Sequence, residues 1–295
     1  MFRRESPSQG RTSPRVVGFY EEDTGSCQYV AIDEATGSCA LIDIVQGFDP
    51  RSAATDFDAA GEVLEFVRAE GLHVAWILDT HPHADHLMAA AWLHDQTGAP
   101  MAIGEKVRDI AALWRDIYHS PDAFDVDRDF DRLLADGDTF KLGNLDVSVM
   151  LSPGHTLGSI TYVIGDAAFV HDTFMHVDVG TSRADFPGGS ARELWGSLQR
   201  ILSLPDSTRL FIGHDYGTDT RDEPAWESTV ATQRANNPHL QGGEDHFIKI
   251  REERDATLPL PDRMLAALQV NLRGGRLPEP EADGHSYFKI PANKF

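Results

Sequence analysis

The segment Thr80–Met88, THPHADHLM, places three histidines and an aspartate within residues 81–86, directly after the apolar run HVAWIL of residues 73–78. Neutral imidazole and carboxylate suit zinc, iron and manganese, and a metal site needs three or four such ligands in a shell roughly 2 Å in radius. His81 and His83 lie two apart, which on an extended segment turns both rings to one side, so both can reach one ion. Asp85 and His86 follow where the chain is expected to turn into a helix. They point from another direction, toward a second ion or in support of the first. His155 in SPGHT, Asp172 in FVHDT and His214 in FIGHDY complete a set of seven. Taken singly, His155 reads as a loop histidine, His214 as a buried one and Asp172 as a turn cap; their joint position downstream of the cluster makes them ligands.

The elements that must position these residues follow a repeated pattern. HVAWIL, LDVSVMLSPGH, AAFVHD and RLFIGHD are four apolar, strand-like runs, and each ends in a potential ligand. A rigid sheet that presents chemistry at its strand ends, with loops closing over them, is the expected organisation. Upstream, the runs at 28–32 and 40–45 read as strands split by the turn EATGS. Residues 56–71 carry helical periodicity and a closing glycine. A second helix is expected over ADHLMAAAWLHDQTG, so that the histidines sit at a strand-to-helix junction. After residue 222 the segments EPAWESTVATQRANN, GEDHFIKIREERDA and PDRMLAALQVNLR read as helices. The class is α/β, a mixed layered sandwich with a helical C-terminal region.

The chain has 295 residues, 41% of them hydrophobic, with 26 Lys and Arg against 47 Asp and Glu, a net charge of −21. That field repels phosphate backbones and anionic lipid, which argues against nucleic acid and membrane partners. Any anionic substrate requires a local cationic pocket. Residues 1–15, basic and rich in Ser, Pro and Gly, read as a disordered tail, and 16–295 as one domain. They lack the apolar core of a secretory signal, and no run approaches a membrane span, so the cytoplasm is the expected compartment. Cys27 and Cys39 are expected to be reduced and partly buried.

Together HPHADH, SPGHT, the strand-end Asp172 and GHDY resemble the metallo-β-lactamase superfamily, which implies an αββα sandwich of two mixed sheets flanked by helices, with the metal site at the sheet edge. The segment of residues 180–216 and the following ANNPHL resemble persulfide dioxygenases. That resemblance implies one Fe(II) held by His81, His155 and Asp172, with His83, Asp85, His86 and His214 in support, oxidising glutathione persulfide or a similar persulfide with O2 to sulfite and thiol. A resemblance to glyoxalase II implies instead two ions, zinc or iron: His81, His83 and His155 on one, Asp85, His86 and His214 on the other, Asp172 bridging, and a thioester as substrate. A lactonase is a third reading, and a metal-binding protein without turnover a fourth. The family also implies a homodimer. Typical persulfide dioxygenases have glycine where this chain has His171. Both main readings involve an anionic, glutathione-type thiol, for which Arg183, Arg273 and Lys289 are the candidate cations and Tyr216 the candidate hydrogen-bond partner.

Overall fold

The computed structural model describes residues 1–295. Seven strands form one sheet, in chain order from edge to edge: Phe2–Ser6, Arg15–Glu21, Ser26–Asp33, Ser38–Ile42, His73–Leu78, Met101–Gly104 and Arg132–Leu134. Its first four strands pair antiparallel and the remaining three pairings are parallel. A second sheet of six runs Thr139–Leu142, Leu145–Leu151, Ile160–Ile164, Ala167–His171, Arg209–Ile212 and Glu227–Thr229, with one parallel pairing between Ala167–His171 and Arg209–Ile212. Both sheets are mixed.

Strand alternation divides the core into layers. Tyr29 and Ala31 point into the space between the sheets, where they meet Val147, Phe169 and Phe211. Val30 and Ile32 point the other way, under helices that contribute Val63, Val67, Ala111 and Trp114. The helix Val107–Tyr118 buries Val107, Ile110, Ala111, Trp114 and Tyr118, one stripe at helical spacing. On the far side, Ala191–Leu202 lays Leu194, Leu198 and Ile201 against the second sheet; Ser190 caps it, accepting from the Glu193 N–H. The layers are therefore helix, sheet, sheet, helix.

The four strands expected to end in ligands do so, at Leu78, Leu151, His171 and Ile212. Four expectations need correction. Residues 1–15 are not a tail. Phe2–Ser6 pairs with Val16–Tyr20, and the fully buried Arg209 donates to Ser6 Oγ (2.8 Å), Ser13 Oγ (3.0 Å) and Pro14 O (2.9 Å). The helix after the histidines begins at Ala90 rather than Ala84, because Leu87–Met88 first pairs with Val45–Gln46. Glu227–Thr229 is a strand, drawn into the second sheet by Arg209–Phe211. Cys27 and Cys39 are free and fully, not partly, buried.

Candidate metal centre

All seven predicted ligands meet at one edge of the two sheets. Asp172 Oδ2 is the common neighbour: His155 Nε2 lies 3.4 Å from it, His214 Nε2 3.6 Å and His81 Nε2 3.7 Å. Asp85 Oδ2 is 3.2 Å from His214 Nε2. Two overlapping quartets keep their ligand atoms within 4.8 Å of one another: His81, His83, His171 and Asp172, and His83, Asp85, His86 and His214. Such separations are those of donors around an ion rather than of groups bonded to each other.

The tied and free nitrogens give an independent test of fit. His81 Nδ1 donates to Thr80 Oγ1 (3.1 Å), whose hydroxyl donates to Asp43 Oδ1 (3.2 Å). His83 Nε2 donates to Asp43 Oδ1 (3.2 Å), and His155 Nδ1 to the Arg183 carbonyl (2.8 Å). The Nδ1 atoms of His86 and His214 both face Ser26 Oγ. On the opposite side of these rings, His81 Nε2, His83 Nδ1, His86 Nε2 and His214 Nε2 are buried without any hydrogen-bond partner. Four orphaned imidazole nitrogens in one place carry a desolvation cost that a divalent cation would remove. The residues fit a metal.

Electrostatics agree with that state. Burial pushes His81 and His83 well below the ordinary histidine range, reinforced by the neighbouring imidazoles, and burial lowers His155 against the pull of Asp172. These rings stay neutral, as ligands must. Burial alone would raise Asp85 and Asp172, but His214 and His86 hold the first, and His171 and His214 the second, below the usual carboxylate range. Asp43, beneath the site, is raised by burial.

His171 stands at a strand end with φ of 47°, in the left-handed region where glycine costs least. That explains why a glycine is usual there. The strained histidine is held by an Asp172 N–H that donates to its Nδ1 (2.7 Å), with Nε2 3.5 Å from Asp43 Oδ2. The surrounding carboxylates, against burial, pull its pKa up to about 9, yet the N–H aimed at Nδ1 favours the neutral ring. Next to it Gly213 has no room for a side chain: a Cβ would come within 2.5 Å of Asp172 Oδ1 and 2.6 Å of the His171 ring.

A cavity of about 540 Å³ opens onto the centre, with Asp85, His155, Asp172 and His214 in its wall. Met175, Val179, Phe186 and Leu258 make it partly apolar. Tyr216, 65% exposed, stacks parallel on the His214 ring. Arg183 lines the cavity but is spoken for by Asp185 (2.6 and 2.8 Å), the Pro259 carbonyl and the Phe186 ring. Arg273 is not brought to the cavity; it packs over Phe124 and donates to the Gln269 carbonyl. Lys289 donates to His119 O.

Sequence reasoning missed four supports. Asp43 and Ser26 hold the histidines from outside. Asn271, fully buried, donates to His83 O and His86 O and accepts from Met88 N–H, all at 2.8 Å. Arg254 lines the cavity with no carboxylate partner, its one hydrogen bond going to Thr257 Oγ1 at 3.4 Å. Arg254 had a readable signal in its basic side chain; the others are single polar residues in apolar runs.

A family profile described as the Metallo-beta-lactamase superfamily matches residues 23–214, nearly two thirds of the chain. The chain belongs to the metallo-β-lactamase superfamily. It is 56% identical over 286 residues, 97% of its length, to a "Beta-lactamase hydrolase-like protein" of Xylella fastidiosa, and spans 66% of that relative. To "Glyoxylase B2" of Dictyostelium discoideum it is 40% identical, covering 95% of this chain and 97% of the relative. To "Persulfide dioxygenase ETHE1, mitochondrial" of Homo sapiens it is 26% identical, covering 92% and 94%. Among solved structures, ETHE1 from Myxococcus xanthus superimposes with a TM-score of 0.70 at 28% identity, covering 88% of this chain and 98% of that one. No helix is long and apolar enough to cross a membrane.

Proposed function

We propose that this protein is an iron-dependent persulfide dioxygenase that oxidises glutathione persulfide, or a similar low-molecular-weight persulfide, with O2. The observation that carries the reading is the convergence of His81 Nε2, His155 Nε2 and Asp172 Oδ2, two imidazoles and one carboxylate, beside a cavity sized for a tripeptide thiol. Three protein ligands on one face leave positions for substrate sulfur and dioxygen, the arrangement that suits non-haem iron. The likeness to the Homo sapiens and Myxococcus xanthus proteins supports it.

A ferrous ion there would supply the one-electron chemistry that lets triplet dioxygen react with sulfur, the persulfide sulfur itself giving the electrons that reduce O2. The chain's own part is to hold and to bind. Thr80 and the Arg183 carbonyl fix the His81 and His155 rings with Nε2 inward. Phe186, Met175 and Leu258 give the persulfide an apolar wall, while Arg254 takes a substrate carboxylate that the net charge of −21 would otherwise repel. Glutathione persulfide, O2 and water give glutathione and sulfite.

A second reading rests on the quartet His83, Asp85, His86 and His214, which is complete, and on the 40% identity to Glyoxylase B2. With two ions the same centre would hydrolyse a glutathione thioester. Sulfite assayed on glutathione persulfide in air and under argon separates the two. Release in air that stops under argon is expected. Failure to form sulfite, together with lactoylglutathione hydrolysis that is indifferent to oxygen, overturns the dioxygenase.

A further inference from the structure

One hydroxyl touches two of the histidines. Ser26 Oγ lies 3.2 Å from His86 Nδ1 and 3.4 Å from His214 Nδ1, and Ser26 is 1% exposed. His86 Nδ1 has one other neighbour, Asp85 Oδ2 at 3.4 Å. On its outer side Ser26 Oγ is 2.7 Å from Thr24 Oγ1, and Thr24 Oγ1 in turn donates to Glu21 Oε2. The backbone holds this segment in place. Cys27 N–H donates to Gly213 O at 2.7 Å and Asp215 N–H to Gly25 O at 3.0 Å, so residues 25–27 are latched to the loop that carries His214.

Proton accounting gives the chain a direction. Glu21 as a carboxylate accepts only, so the Thr24 hydroxyl must donate to it, and Thr24 Oγ1 is then free to accept from Ser26. With its one proton committed to Thr24, Ser26 Oγ has only lone pairs to offer the two imidazoles. Both Nδ1 atoms must therefore carry hydrogen. The Nε2 atoms of His86 and His214, the two found buried without partners, are left as lone-pair donors, that of His214 lying 3.2 Å from Asp85 Oδ2.

We propose that Ser26 is a positioning residue: through Thr24 and Glu21 it locks His86 and His214 in the Nδ1–H tautomer, so that Asp85, His86 and His214 stand ready for a divalent cation of their own. The inference rests on the metal-centre reading but on neither reaction. It gives the protein a capacity that the dioxygenase leaves unused and the thioester hydrolase requires. Supports of this kind change metal affinity by about 10- to 100-fold when removed.

The test uses the full chain and zinc alone. Binding is followed by chelator competition, and the imidazole N–H protons by NMR. The wild type should take two zinc ions, with two slowly exchanging Nδ1–H signals assigned to His86 and His214. Ser26→Ala should weaken the second ion by about tenfold or more and release those two signals, leaving the tighter ion and the His155 signal in place. Ser26→Thr should restore both. Thr24→Val, which touches neither imidazole, should shift them in the same direction as Ser26→Ala. Unchanged second-ion affinity in both Ser26→Ala and Thr24→Val overturns the proposal, as does equal weakening of both ions or a wild type that binds a single zinc. A wild type that binds no zinc or iron would overturn the metal centre itself.

Discussion

At the scale of residues, the ligands were legible because imidazole and carboxylate at H-x-H-x-D-H spacing have few other uses. Their supports were not. Asp43, Ser26 and Asn271 are isolated polar residues whose partners at the metal centre lie 37 to 188 positions away, so no local pattern marks them. His239 is a further case. Sequence gave it no role, yet it lines the cavity and its Nδ1 accepts from the Thr181 N–H (3.1 Å). Burial, with Arg251 beside it, lowers its pKa to about 4. Its unfolded counterpart titrates near 6.5, so between pH 6.5 and 4 the unfolded chain binds more protons. Stability from this group is complete above pH 6.5 and is lost as pH falls toward 4. Urea unfolding of His239→Gln should accordingly show a shallower decline over that window than the wild type; identical slopes would remove His239 from the account.

At the scale of elements, strand ends were readable because an apolar run of β-branched residues terminating in a ligand has a clear signature. Two boundaries were not. The histidine loop extends to Ala89 because Leu87–Met88 finds a partner in Val45–Gln46, and Phe2–Ser6 is ordered through Arg209, some two hundred residues on. Both are long-range pairings that overrule local composition. The C-terminal helix Met264–Asn271 likewise acts at a distance, since its last residue pins the ligand loop. Asn271→Ala would leave two carbonyls and one N–H of that loop buried without partners. We expect a loss of about 3 kcal/mol or more in chemical denaturation and weaker metal retention on dialysis against chelator. Wild-type stability in this variant would mean the loop is held by other contacts.

At the scale of the whole molecule, net charge and cavity pull in opposite directions. The sequence called for local cations and named Arg183, Arg273 and Lys289. The fold engages each of them elsewhere and leaves Arg254 free at the cavity, a pairing outcome that only tertiary structure reveals. Arg254→Ala should raise KM for an anionic persulfide roughly five- to tenfold with kcat little changed, the pattern of lost ground-state binding. An unchanged KM would place the substrate's anion elsewhere. The sandwich, its four ligand-bearing strand ends and the superfamily were all readable from the chain. Choosing between one ion and two was not, because both chemistries keep the same seven residues.

The most direct measurement is iron content and oxygen uptake in one preparation. Protein purified anaerobically with Fe(II) should hold about one iron per chain and consume one O2 per glutathione persulfide, and His155→Ala and Asp172→Ala should abolish the uptake. No oxygen uptake in the iron-loaded protein, together with hydrolysis of lactoylglutathione, would contradict it.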